Sequence, residues 1–168
     1  MNQDTMNRRQ AAALLALAPL VGCGSSKFRS YDGPLVTQIF VAKDRRKLYL
    51  LSGEDVLKSY EISLGFAPQG HKERRGDGKT PEGLYMIDRR NPNSRYHLSL
   101  GISYPNARDV ALAKEAGLDP GGDIFIHGES AKREDGRDWT AGCIAVKDKE
   151  IEEIYAMVRR GTPIYITA

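Results

Sequence analysis

Asp123-Ile124-Phe125-Ile126-His127-Gly128 is an apolar, β-branched run ending in a histidine, and Asp138-Trp139-Thr140-Ala141-Gly142-Cys143-Ile144-Ala145-Val146 follows with a cysteine sixteen residues past it. The first stretch reads as a strand that delivers His127 to its end, where Gly128 lets the backbone turn or approach a ligand closely. Taken singly, such a histidine is an ordinary structural residue and Cys143 a small buried hydrophobe. Together they have the composition of a thiol nucleophile and its base, because the thiolate is the reactive form and an imidazole can take its proton and return it to a leaving amine. Gly142 strengthens this reading. With no side chain, it lets the amide N–H groups of Gly142 and Cys143 converge on one point, as an oxyanion hole requires.

Working outward, the chain is rich in further strands. Thr37–Val41 and Lys47–Leu51 flank the polar turn Lys43-Asp44-Arg45-Arg46, and a third run from Val56 to Leu64 makes a meander. Gly83–Ile87, Tyr96–Leu100 and Thr162–Ile166 add more. Two helices are expected: one capped by Asp109 and stopped by Gly117, another capped by Asp148 and ending near Arg160. In the second, Ile151, Ile154, Tyr155 and Val158 recur at core-facing spacing. The expected fold is therefore mainly β, a sandwich with one or two packed helices. At 168 residues and 40% hydrophobic composition, one domain suffices.

Residues 1–22 read as a signal peptide, with Arg8-Arg9 preceding the apolar run Ala11–Val21, which at eleven residues is too short for a permanent membrane span. It ends in Leu20-Val21-Gly22-Cys23, which resembles a bacterial lipobox, so Cys23 is expected to carry lipid and residues 24–34 to tether the domain at 35–168. The twin arginines leave Tat export open beside the general route. Two or three acyl chains would anchor the protein to a membrane without spanning it. That placement implies an exported protein facing the periplasm or cell wall, and sets Cys23 and Cys143 apart from any disulfide. Without residues 1–22 the net charge stays near +2, and no basic cluster interleaved with aromatics suggests nucleic acid.

The segments His127-Gly128 and Thr140-Ala141-Gly142-Cys143-Ile144 resemble the signature of bacterial L,D-transpeptidase catalytic domains, a His-Gly followed after a spacer by Ser/Thr-x-Gly-Cys-Ile. Gly76-Asp77-Gly78-Lys79-Thr80-Pro81-Glu82-Gly83 is similar to the family's Gly-Asp-x-x-Thr-Pro-x-Gly, and Leu100–Asn106 also fits, so the likeness runs from about Val36 to Thr167. It implies that Cys143 attacks a peptidoglycan stem peptide at the bond between an L-centre and a D-residue. His127 would be proton acceptor and donor, Gly142 and Cys143 would hold the oxyanion, and Thr140, Ala141 and Gly128 would line the site. An amine would resolve the thioester by cross-linking and water by hydrolysis. No metal or organic cofactor is implied.

Ala141 stands where many family members have a second histidine, and Ala145 where many have arginine. The Asp-Trp-Thr-x-Gly-Cys-Ile-Ala subgroup it resembles includes members thought to cut L–D linkages, which makes an L,D-hydrolase the first alternative. A wall-binding lipoprotein without catalysis is the second. A zinc site from His71 and Asp77 with His127 or Cys143 would be a third chemistry, but neither Cys-x-x-Cys nor His-Glu-x-x-His occurs. His71 with its basic neighbours is expected in a solvated loop or at the lip of the cleft, and His97 in a structural role. Trp139 is expected in the core or supporting the cysteine loop, ahead of a role in shaping the substrate groove. Asp138, Ser130 or a backbone carbonyl could orient His127.

Overall fold

The computed structural model describes residues 26–128 and 138–168. The signal segment, Cys23 and Ser130 lie outside them. Eight strands and two helices follow in the order β1 (Gln38–Ala42), β2 (Lys47–Ser52), β3 (Asp55–Glu61), β4 (Gly83–Asn91), β5 (Ser99–Ile102), α1 (Ala107–Glu115), β6 (Phe125–Gly128), β7 (Ile144–Val146), α2 (Asp148–Met157) and β8 (Pro163–Thr167). Alternation sets the inward face: Ile39 and Val41 of β1, Leu48 and Leu50 of β2, and Ile164 and Ile166 of β8 are buried, whereas Tyr165 between the last two is exposed. Each such aliphatic contributes roughly 1.5–3 kcal/mol on burial.

The strands form one sheet in the order β3-β2-β1-β8-β4-β5-β6-β7, with β1–β8 and β6–β7 parallel and the rest antiparallel. β4 is the hinge between its two halves. Its first residues, Gly83–Met86, pair with β8, and from Ile87 onward it pairs with β5, with an irregularity between Ile87 and Arg89. Bridges of Ser63 with Ala145 and Gly65 with Thr140 bring the far edge back to the chain leaving β3. The sandwich is thus a single sheet, bent at β4 and drawn into a barrel-like form around one core.

Tyr96 and His97 fall outside β5, which starts at Ser99; His97 has φ +71° and bonds Glu152 through Nε2 at 2.9 Å, tying its loop to α2. Both expected caps differ by position. Asn106 caps α1, accepting from the N–H groups of Arg108 and Asp109, while Asp109 reaches back to the Asn106 N–H as the other half of a capping box. Asp148 is the first residue of α2, and Glu150 accepts from the Lys147 N–H before it. α2 stops at Met157 because Val158 turns to extended backbone, still burying its side chain. The described part of the expected tether rests on the domain: Lys27 donates to the carbonyls of Pro92 (2.6 Å) and His97 (3.2 Å), and Arg29 pairs with Glu152 at 2.8 Å.

Candidate active site

The parallel pairing of β6 with β7 places Ile126 beside Ile144 and His127 beside Ala145. Cys143 directly precedes β7, where its thiol is met by the Phe125 amide two residues before His127 on β6. His127 is 3% exposed, stacked on Tyr96 with ring centres 4.4 Å apart and met edge-on by Trp139 at 5.8 Å. Its Nδ1 lies 2.6 Å from the Gly128 carbonyl. A carbonyl can only accept, so Nδ1 carries the proton and Nε2 is the basic nitrogen. Burial pushes the His127 pKa below its ordinary value, only partly offset by that carbonyl.

The thiol of Cys143 lies 3.6 Å from the Asp123 carbonyl. Burial pushes its pKa up, with the Phe125 amide opposing. The resting pair is therefore neutral thiol and neutral imidazole, and thiolate forms as the proton moves to Nε2. Asp123 itself has φ +56°, a conformation an aspartate tolerates better than most residues but that still costs free energy.

A clasp holds the nucleophile turn. Thr140 Oγ1 donates to the Cys143 carbonyl at 2.7 Å and accepts the Gly142 N–H at 3.1 Å. The Gly142 amide expected in the oxyanion hole thus donates to Thr140 in this structure. Thr140 is buried and shapes the turn from behind, while Ala141 is exposed at its tip. Gly142 sits at φ +132°, and a side chain there would lie 2.6 Å from the Lys79 carbonyl. Gly65 is tighter still, since a Cβ would come within 2.0 Å of the Gly78 carbonyl and 3.0 Å of Gly142 Cα. The Gly-Asp-x-x-Thr-Pro segment is therefore the backing on which the nucleophile turn lies, with Thr80 Oγ1 accepting the Gly65 N–H.

Gly128 is confined too: a Cβ would meet Asp148 Oδ1 at 2.6 Å and the Tyr96 carbonyl at 2.9 Å. Asp138 does not orient His127; it accepts from Arg46 and from the Leu64 N–H (2.8 Å), and so fixes the chain before Thr140. His71 accepts the Glu82 N–H at Nδ1 and pairs through Nε2 with the buried Asp109, while Asp77 holds Lys72. These two zinc candidates are thus each engaged elsewhere, and the loop expected to be solvated is partly built into the domain, with Lys72 only 3% exposed. Tyr96 was not singled out in the sequence. Its aromatic character was the only local signal.

The barrel-like sheet thus carries a carbonyl-bonded His127 on β6 and Cys143 directly before the paired strand β7. Residues 37–166 match the model of the YkuD family, the L,D-transpeptidase catalytic domain, and the chain belongs to that family. It is 33% identical over 156 residues to "Putative L,D-transpeptidase YafK" of Escherichia coli K12, covering 86% of this chain and 58% of that protein. The helical cell shape determining protein Pgp2 of Campylobacter jejuni is 26% identical with a TM-score of 0.63, over 85% of this chain and 51% of Pgp2. An L,D-transpeptidase of Enterococcus faecium, a C442S mutant, shares the fold at 16% identity and TM-score 0.53, over 80% of this chain and 50% of that one. The chain thus spans about half the length of these relatives.

Proposed function

We propose that the protein is a cysteine-dependent L,D-transpeptidase acting on peptidoglycan stem peptides. Cys143 Sγ attacks the carbonyl at the L-centre–D-residue bond as Nε2 of His127 takes the thiol proton, and the Cys143 N–H receives the developing oxyanion. His127 then returns the proton to the departing amine, leaving a thioester. An incoming amine, deprotonated by the same nitrogen, resolves it and regenerates the thiol. The observation carrying this reading is the Nδ1 contact with the Gly128 carbonyl, which leaves Nε2 as the base on a strand paired with the one that Cys143 leads into. Export with lipid on Cys23 belongs to the same proposal, supported by Leu20-Val21-Gly22-Cys23, and places the enzyme with its substrate.

Incubation with purified tetrapeptide muropeptides, with and without an amine acceptor, tests the chemistry by product mass. Cross-linked dimers and a thioester on Cys143 are expected, both lost in Cys143→Ala. Tripeptide with free D-alanine even when acceptor is present would make the protein an L,D-hydrolase. The absence of any acyl-enzyme would sink both activities and favour wall binding. Palmitate labelling of the full-length protein, abolished by Cys23→Ser, tests the anchor.

A further inference from the structure

The segment expected to tether the domain is docked on it from Lys27 onward. Lys27 donates to the Pro92 and His97 carbonyls, the Phe28 ring meets Tyr155 with centres 6.4 Å apart, and Arg29 holds Glu152 through two N–H groups at 2.9 and 2.8 Å. The docked chain therefore begins four residues past Cys23, a reach of about 14 Å even fully extended. A domain of this length is about 35–40 Å across. With lipid on Cys23, so short a lead does not let the domain turn over, and the face around Lys27 stays at the membrane surface.

The side chains of this face suit an anionic surface. Arg90 lies over the Tyr155 ring, 3.9 Å from its centre, and donates to the carbonyls of Tyr155 and Val158, so no carboxylate takes its charge. Arg159 and Arg160 follow Val158, and Arg95 stands between the two carbonyls that Lys27 holds; all three are exposed and form no ion pair among the described residues. The acidic side chains beside them are already matched, Glu152 with Arg29 and His97, and Glu153 with Arg29 and Lys58. Asp32 is the only carboxylate in residues 26–34. Phe28, 54% exposed, adds an apolar ring where the chain leads back toward the lipid. We infer that the face carrying Lys27, Phe28, Arg90, Arg95, Arg159 and Arg160 is a docking surface for anionic phospholipid head groups. It holds the catalytic domain in one orientation at the membrane. The surface rests on the reading of Cys23 as the lipid-bearing residue.

The test places the full-length protein, as purified from membranes, in vesicles of phosphatidylcholine alone or with about a quarter phosphatidylglycerol. Amide hydrogen exchange is then read by mass spectrometry. On the anionic vesicles, exchange at 92–97 and 158–161 should slow about fivefold or more, since one cation near such a surface is worth about that factor. The slowing should fade at about 0.5 M salt. The triple variant Arg95→Gln, Arg159→Gln, Arg160→Gln should abolish it. A second triple variant, Arg45→Gln, Arg108→Gln, Lys114→Gln, removes the same charge from exposed positions on the β1–β2 turn and α1, and should keep it. Equal exchange on both kinds of vesicle, or equal loss in the two triple variants, would overturn the surface. Palmitate on Cys23 without arginine-dependent slowing would keep the anchor and overturn the surface; arginine-dependent slowing in a protein that takes no palmitate would keep the surface and sink the anchor.

Discussion

The two halves of the thiol–imidazole pair are held in place by opposite means. Cys143 is positioned by backbone packed on backbone, with Gly65, Gly78 and Gly142 meeting at distances that admit no side chain and Thr140 stitching the turn. His127 is positioned by side-chain surface, a stacked tyrosine and an edge-on tryptophan, plus one carbonyl. The first arrangement fixes the cysteine rigidly, since backbone that leaves no room for a Cβ has little freedom to move. The second fixes ring orientation and at the same time sets proton affinity, because the burying rings also desolvate the imidazole. The nucleophile side should thus answer to volume and the base side to chemistry.

Removing the base outright gives the largest effect. His127→Ala should slow acylation of Cys143 by about 10²–10⁴-fold while leaving the melting temperature within a few degrees, because the clasp around Cys143 is independent of it. Stopped-flow acylation with parallel thermal melts would check this; a large loss of stability would erase the proposed independence of the two halves. Volume on the other side comes next. Gly65→Ala should cost about 2–3 kcal/mol in urea unfolding, since the new methyl meets the Gly78 carbonyl with no flexible side chain to yield. It should also lower acylation, even though position 65 carries no chemistry. Wild-type stability in this variant would break the contrast.

The backing segment adds a charge-dependent effect. Burial alone would raise the Asp77 pKa, but the hydrogen bond from Lys72 and the amides of Arg74, Glu73 and Lys79 outweigh it and hold it at about 2. A carboxylate depressed in the folded state contributes stability that is complete above its unfolded pKa and lost as pH falls through the folded one. The loss attached to Asp77 should therefore fall between about pH 4 and pH 2. Asp77→Asn should destabilise by about 2 kcal/mol at neutral pH, leaving the buried Lys72 without its partner, and should flatten that acid limb of the stability curve. An unaltered limb would show that the segment is held by packing alone.

Much of this comparison could be read in the chain, and unequally. His127, Gly128, Thr140, Gly142 and Cys143 stand in short local patterns, and strand alternation and the stripe of α2 are periodic signals that local sequence carries well. The part played by Gly65 and Gly78 was hidden, because it consists of contacts between residues far apart in sequence that meet only when the sheet closes. The same holds for Tyr96, thirty-one residues before the histidine it covers. The bond from the Gly142 amide to the Thr140 hydroxyl was hidden for a different reason: it is set by the shape of the turn, which residue types two positions apart do not announce. Caps differed by one to three residues, since several side chains near each helix start can accept the same amides.

The smallest expected effect is the most specific to the base side. Tyr96→Leu keeps an apolar cover but removes the stack on His127, at a cost of about 1 kcal/mol in stability. Because burial is the main cause holding the His127 pKa below its ordinary value, a looser cover should let it rise back toward that value. Nε2 must be unprotonated to act as base, so the acid limb of the acylation rate should move to higher pH, with the plateau little changed. NMR titration of the His127 ring gives the same shift without turnover. A pH profile that stays put while the plateau falls would mean that Tyr96 only aims the ring. Position and proton affinity would then be separable on the base side too, and the difference between the two halves of the site would shrink to the material that packs each one.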